Sequence, residues 1–178
     1  MTPRIGDPAP EIHAHAYVCG SHDPEPFDVH DLRGRWVAII FYPAAASLVS
    51  PVELRAFAAA QPEFDALGAS VIAASAGGFW SHRAWLEIEP ALAAANMPLI
   101  ADRNGAVAAS YGIRAGQGAP ERATFVIDPD GILRYAAVAG RTFGRAPDDV
   151  LRVIGALQTE QEYGAGWQPA VPALGVAA

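Results

Sequence analysis

Residues 35 to 42 read "RWVAIIFY", apolar without a break after the first position. Such a run, rich in β-branched and aromatic residues, predicts a strand buried on both faces. Upstream, "HAHAYV" (13–18) and "PFDVHD" (26–31) alternate instead, and "CGSHDPE" between them supplies turn residues, so an N-terminal β-hairpin is expected. From 51 to 67 the period lengthens. Leu54, Phe57, Ala58, Phe64 and Leu67 fall on one helical stripe, with Pro62 expected to kink the helix and Gly68 to end it. "ASVIAAS" (69–75) is a second buried strand. A helix over 81–96, a short strand over 98–102 and a helix over 105–113 follow. "RATFVID" and "ILRYAAVA" flank Pro129-Asp130-Gly131, the strongest hairpin signal in the chain. Residues 146–161 make an amphipathic helix with Asp148 and Asp149 in its first turn, where they complement the helix dipole.

The order is a hairpin, then β-α-β-α-β-α-β-β-α. It predicts an α/β fold: a mixed central sheet with helices on both faces. One domain over 1–160 and a Pro/Gly/Ala-rich C-terminal arm over 161–178 are expected. Sheets of this kind hold ligands where strands run into helices. Here that junction is "FYPAAASLVSPVE" (41–53). Its Ser50-Pro51-Val52-Glu53 has the grammar of a capping box, with the serine capping the helix and proline at the first helical position.

Composition narrows the function. Twelve Lys and Arg against nineteen Asp and Glu give a net charge of −7. Without a basic cluster, that argues against nucleic acid or an anionic membrane as partner. No apolar run reaches the length of a membrane span, and the N-terminus lacks a signal-peptide core, so a cytoplasmic location is expected. Cys19, the single cysteine, excludes an intramolecular disulfide, a CxxC pair and a cysteine-rich zinc site. Of the histidines, His13, His15, His22 and His30 crowd the first thirty residues at spacings that match no metal motif, and read as surface residues; no metal and no cofactor is expected.

The segments "IGDPAPE", "LRGRWVAIIFYP", "FDALGASVIAAS", "PLIADRNGAVAASYGI", "ERATFVIDPDGILRYAAV", "FGRAPDDVLRVIGALQ" and "GWQP" occur in one order. Together they resemble the peroxiredoxins of the alkyl hydroperoxide reductase C and thiol-specific antioxidant group. The resemblance implies a thioredoxin-like core. It also implies a Pro-x-x-x-Thr/Ser-x-x-Cys motif, which here runs from Pro43 through Ser47 to Ser50. The proline and the hydroxyl residue match; the peroxidatic cysteine is a serine. Tyr163 stands nearest the place of the family's resolving cysteine, and Ser75-Ala76-Gly77-Gly78 replaces its Ser-Val-Asp-Ser. By the same resemblance Arg122 and Arg145 are the site's arginines, Glu53 the carboxylate holding both, and His82 and Trp85 belong to a segment packed nearby. Bland alternatives are a surface Arg122, an Arg145 paired with Asp148 and Asp149, and a core Trp85.

Peroxide reduction of this kind needs a thiolate that becomes a sulfenic acid. A serine hydroxyl cannot follow that route. The chain therefore reads as a peroxiredoxin-like protein, redox-inactive with Ser50 in place, whose pocket serves a small anion or a regulatory role. The alternatives are a thiol peroxidase whose cysteine was exchanged for serine, and a non-redox enzyme using the arginine-lined pocket. The resemblance implies a homodimer through the edge strand 132–140. A larger ring would use loops that here carry Ala46 and Leu48. Trp167 in the tail is expected to need a partner subunit to cover it.

Overall fold

A computed structural model describes residues 3–43, 47–94, 97–116, 119–140, 142–159, 161–164 and 167–168. Among them the main sheet has seven strands. In chain order they are β1 (His13–Tyr17), β2 (Glu25–Asp28), β3 (Trp36–Phe41), β4 (Ala69–Ser75), β5 (Leu99–Ala101), β8 (Arg122–Ile127) and β9 (Leu133–Ala139). They lie side by side as β2-β1-β5-β4-β3-β8-β9. β3, β4 and β5 are parallel; β8 runs antiparallel to β3, β9 to β8, β1 to β5 and β2 to β1. This is the mixed thioredoxin-like sheet expected, with the hairpin on one edge and β9 on the other. A separate pair, β6 (Arg114–Ala115) and β7 (Ala119–Pro120), was not foreseen; two-residue strands leave no period to read.

Strand β3 divides the core. Ala38, Ile40 and Tyr42 face one cluster with Leu54, Phe57, Phe64, Trp85, Leu92 and Ile154. Val37, Ile39 and Phe41 face the other, with Ile72, Val107, Tyr111 and Phe125. Alternate side chains of an extended strand point to opposite faces, so an apolar run of this length requires cover on both. The first cluster is covered by α1 (Ser50–Ala59), α2 (Gln61–Ala66), α3 (Phe79–Glu87), α4 (Pro90–Ala94) and α6 (Pro147–Leu157), the second by α5 (Ala106–Ser110).

Three elements differ from expectation, two of them through proline. The helix expected over 51–67 is two helices parted at Ala60, and Pro62 sits in the first turn of the second, where it has no donor to lose. The helix expected over 81–96 divides before Pro90; residues 95 and 96 lie outside the described residues. The strand expected over 26–31 stops at Asp28, whose carboxylate accepts the His30 N–H at 2.8 Å and starts a 3₁₀ turn over Val29–Leu32. The tail is described only at 161–164 and 167–168. There Trp167 is already buried by its own chain, 4.1 Å from the Tyr163 ring, so it calls for no partner.

Candidate functional site

The carboxyl ends of β3 and β4 lie side by side, and the antiparallel β8 begins where β3 ends: Phe41 pairs with Ala74 on one side and Ala123 on the other. Tyr42, Pro43, Ser75 and Arg122 therefore share one edge of the sheet. The chain after Pro43 enters α1 there, bringing Ser50 to the same place.

Ser50 is fully buried. Its backbone N–H donates to Ser47 Oγ at 3.0 Å, and the two hydroxyl oxygens lie 2.8 Å apart. The expected capping box does not form. Ser50 has entered the helix, Ser47 supplies the capping oxygen, and the Glu53 N–H bonds the Val49 carbonyl. The serine motif was legible, but the capping role belongs to the residue three positions earlier.

The Glu53 side chain is thereby free for other partners. It is buried with Arg122, and Arg145 lies almost as deep, so each charge must find an opposite or a hydrogen bond. Glu53 Oε1 accepts from Arg145 N and Nε, both at 2.8 Å; Oε2 accepts from Arg145 Nη2 at 3.0 Å and from Arg122 Nη1. Four donors saturate the carboxylate. Arg145 also donates to the carbonyls of Phe41 and Ala123 and to Thr124 Oγ1, tying α1 to β3 and β8. Burial pulls Arg145 below its ordinary value, and the Glu53 carboxylate opposes that. The other guanidinium nitrogen of Arg122, Nη2, stands 3.5 Å from Ser50 Oγ. Arg122 is thus no surface residue, and Arg145 is bound to Glu53 rather than to Asp148 or Asp149.

A second polar cluster lies on the other side of Tyr42. His82 of α3 is fully buried; its Nε2 lies 3.0 Å from Ser75 Oγ and 3.3 Å from Tyr42 Oη. Gly77 N–H donates to the Ser75 oxygen at 3.2 Å. His82 Nδ1 is buried with no hydrogen-bond partner. Burial pulls the imidazole down to about 4, against a weaker backbone contribution from Leu99, so it is neutral near pH 7. The same burial pushes the Tyr42 phenol up. The Trp85 ring packs 5.9 Å from that of Tyr42. Gly77 is required here: a Cβ on it would lie 2.6 Å from His82 Nε2 and 3.2 Å from Ser75 Oγ.

With this geometry in view, the comparisons with known proteins agree. The family model described as the AhpC/TSA family matches residues 5–136. The chain belongs to that peroxiredoxin family. Peroxiredoxin-2 of Cricetulus griseus is 35% identical over 173 residues, covering 93% of this chain and 86% of the relative. Peroxiredoxin-2 of Macaca fascicularis is 34% identical over 174 residues, covering 93% and 87%. Among solved structures, the reduced 2-Cys peroxiredoxin of Plasmodium vivax superposes with a TM-score of 0.87 at 24% identity, over 95% of this chain and 91% of that one. AhpC of Enterococcus faecalis gives 0.82 at 26%, over 89% and 94%.

Within this peroxiredoxin fold the catalytic cysteine is missing. Cys19 is exposed in the turn between β1 and β2, away from the junction, and the buried Ser50 is consistent with a cysteine-to-serine replacement. Of the residues expected at the site, Ser47, Ser50, Glu53, Arg122 and Arg145 come together in one hydrogen-bonded group beside Pro43. His82 and Trp85 belong to the neighbouring cluster. Tyr42, Ser75, Gly77 and Thr124 were not singled out as site residues. The signal for Tyr42 was its position at the end of a predicted strand; Ser75 and Gly77 also lay in the stretch that replaces the family's Ser-Val-Asp-Ser. Among the described residues no helix is long and apolar enough to cross a membrane.

Proposed function

We propose that this peroxiredoxin-family protein does not turn over peroxide and that the Ser50 pocket holds a small anion or polar oxygen. The observation that supports this best is a buried guanidinium, Arg122, directed at the Ser50 hydroxyl. Serine at the peroxidatic position supplies no soft nucleophile and forms no sulfenate. The Ser50 oxygen accepts from Ser47, and no described residue accepts the Ser50 proton. An anion completes that hydroxyl and meets the guanidinium by charge-assisted bonds. Because Ser50 has no solvent exposure, entry requires atoms around it to move. Thiol-dependent peroxide consumption is expected at background level, and sulfate binding is expected to be lost in Arg122→Met. Peroxide turnover above background with Ser50 in place would refute the first half; sulfate affinity unchanged in Arg122→Met would refute the second.

The Glu53, Arg122 and Arg145 arrangement also favours the reading of a thiol peroxidase whose cysteine is exchanged. On that reading Ser50→Cys turns over peroxide with an external thiol; if the Cys variant stays inactive, the 43–50 connection differs from a working site in more than one atom.

We further propose a homodimer through β9. This edge strand carries Val138 at 60% exposure, and its unpaired backbone groups are a template for another strand. Gly6 and Asp7 already bond both backbone groups of Leu133, so the pairing edge starts after that residue rather than at 132. Light scattering is expected to give a multiple of two chains. A monomer at micromolar concentration would overturn it.

A further inference from the structure

The surface histidines near the N-terminus are not isolated. His13 Nδ1 lies 2.9 Å from Asp28 Oδ2 and its Nε2 lies 3.1 Å from Glu11 Oε2. A neutral imidazole carries one N–H and one lone pair, so a ring facing a carboxylate on both nitrogens satisfies both only as the imidazolium. The second Glu11 oxygen lies 3.4 Å from His30 Nε2, and the two imidazole rings are nearly parallel with centroids 6.3 Å apart. Asp28 stands directly opposite His13 in the β1–β2 register and also accepts the His30 N–H. Four side chains thus join the segment before β1, both strands of the hairpin and the turn after it.

We propose that Glu11, His13, Asp28 and His30 form a proton-dependent clasp, closed while His13 is an imidazolium and loosened when that proton leaves. The hairpin is where such a clasp has leverage. β2 is a four-residue edge strand with no buried residue and pairs only with β1. Loss of the proton leaves two carboxylates around nitrogens of which only one can donate. The surrounding charges are mixed. Asp31 and His15 line the same recess, Asp31 favouring the proton. Asp102 and Arg103, of opposite charge, line a wider recess with His13. The balance holds His13 above its ordinary value, chiefly through the Glu11 hydrogen bond and then the Asp28 charge, and holds both carboxylates below theirs. The sign follows: a raised histidine stabilises the hairpin below its unfolded value, and that contribution is lost as pH rises through the folded one. Among the described residues no three His, Cys, Asp or Glu side chains converge on a metal position.

The test uses the full chain. Imidazole proton shifts are followed from pH 5 to 9 alongside amide exchange at 13–17 and 25–28, corrected for the intrinsic pH dependence of exchange. His13 is expected to titrate above 6.5 and to fall back toward it in Glu11→Gln. Hairpin opening is expected to rise roughly two- to fivefold across the His13 transition, the range that exposed ion pairs allow. That step is expected to vanish in His13→Gln. A midpoint at or below 6.5, an exchange profile without a step, or a step that survives in His13→Gln would each overturn the clasp.

Discussion

Two buried polar clusters lie at one end of the sheet, and they are built on opposite principles. Around Glu53 three of the four donors are guanidinium nitrogens, and every acceptor site of the carboxylate is filled. Around His82 everything is neutral, and one ring nitrogen lacks a partner. Both sit at the carboxyl edge of the same sheet, within the same packed interior. The first is fixed by electrostatics: removing one member strands another charge in a low-dielectric core. The second is fixed by shape, because the imidazole occupies the space that a side chain at 77 would need. The family's catalytic cysteine is missing beside the charged cluster while the cluster's hydrogen bonds remain intact, which is what a network of high mutual cost should do.

The contrast can be broken in order of size. Glu53→Ala leaves two guanidinium groups without their shared carboxylate and is expected to cost about 3–5 kcal/mol in urea unfolding, or to prevent folding. A loss below 1 kcal/mol would show that water reaches the arginines. The neutral cluster answers to pH instead. His82 is held at about 4 in the folded chain against an ordinary 6.5, so the unfolded chain takes up the proton first as pH falls. Stability from this group is intact above 6.5, declines between 6.5 and 4, and levels off below. The full loss is about 3 kcal/mol from the linkage relation. His82→Gln is expected to lack that component, so the difference between the two pH profiles isolates it. Parallel profiles would place the acid sensitivity elsewhere.

Smaller effects separate shape from charge. Gly77→Ala forces a methyl against the imidazole and is expected to cost about 1–3 kcal/mol. Gly78→Ala meets only the flexible Arg103 side chain, at 3.1 Å from its Cδ, and is expected to cost less than half as much by the same unfolding assay. Equal costs would mean that the loop, not the histidine, sets the limit. Tyr42→Phe removes the hydroxyl that meets His82 Nε2 and is expected to cost about 0.5–1.5 kcal/mol.

Most of the fold was legible because its strands are long, apolar and bounded by turns. "RWVAIIFY" and "ASVIAAS" could be little else. What escaped was decided by tertiary partners. Ser50 lost its capping role because it lies inside the helix, its own N–H bonding Ser47 Oγ while the Val49 carbonyl takes the Glu53 N–H. Glu53, expected in the box, is held by two arginines distant in sequence. Those arginines were legible through family resemblance; spacing alone left Arg122 indistinguishable from a surface residue. The histidines near the N-terminus escaped for a different reason. A metal motif is defined by spacing along the chain, whereas Asp28 meets His13 only across a strand pair. The tryptophan of the tail was misjudged because an exposed apolar residue looks the same in sequence as one covered by a nearby tyrosine.

The reach of Arg145 sets an order of events during synthesis. Its guanidinium bonds the Phe41 carbonyl, 104 residues earlier, and Glu53, 92 residues earlier. A ribosome adding about 5–20 residues per second needs some 5–20 s to cover such a distance. Throughout that interval the nascent chain already holds β3 and α1 but not the arginine that joins them. Glu53 meets Arg122 first, 69 residues on, and gains its second guanidinium only once Arg145, just before α6, has been made. A chain released just before that point carries the residues of all seven strands of the main sheet but lacks Arg145.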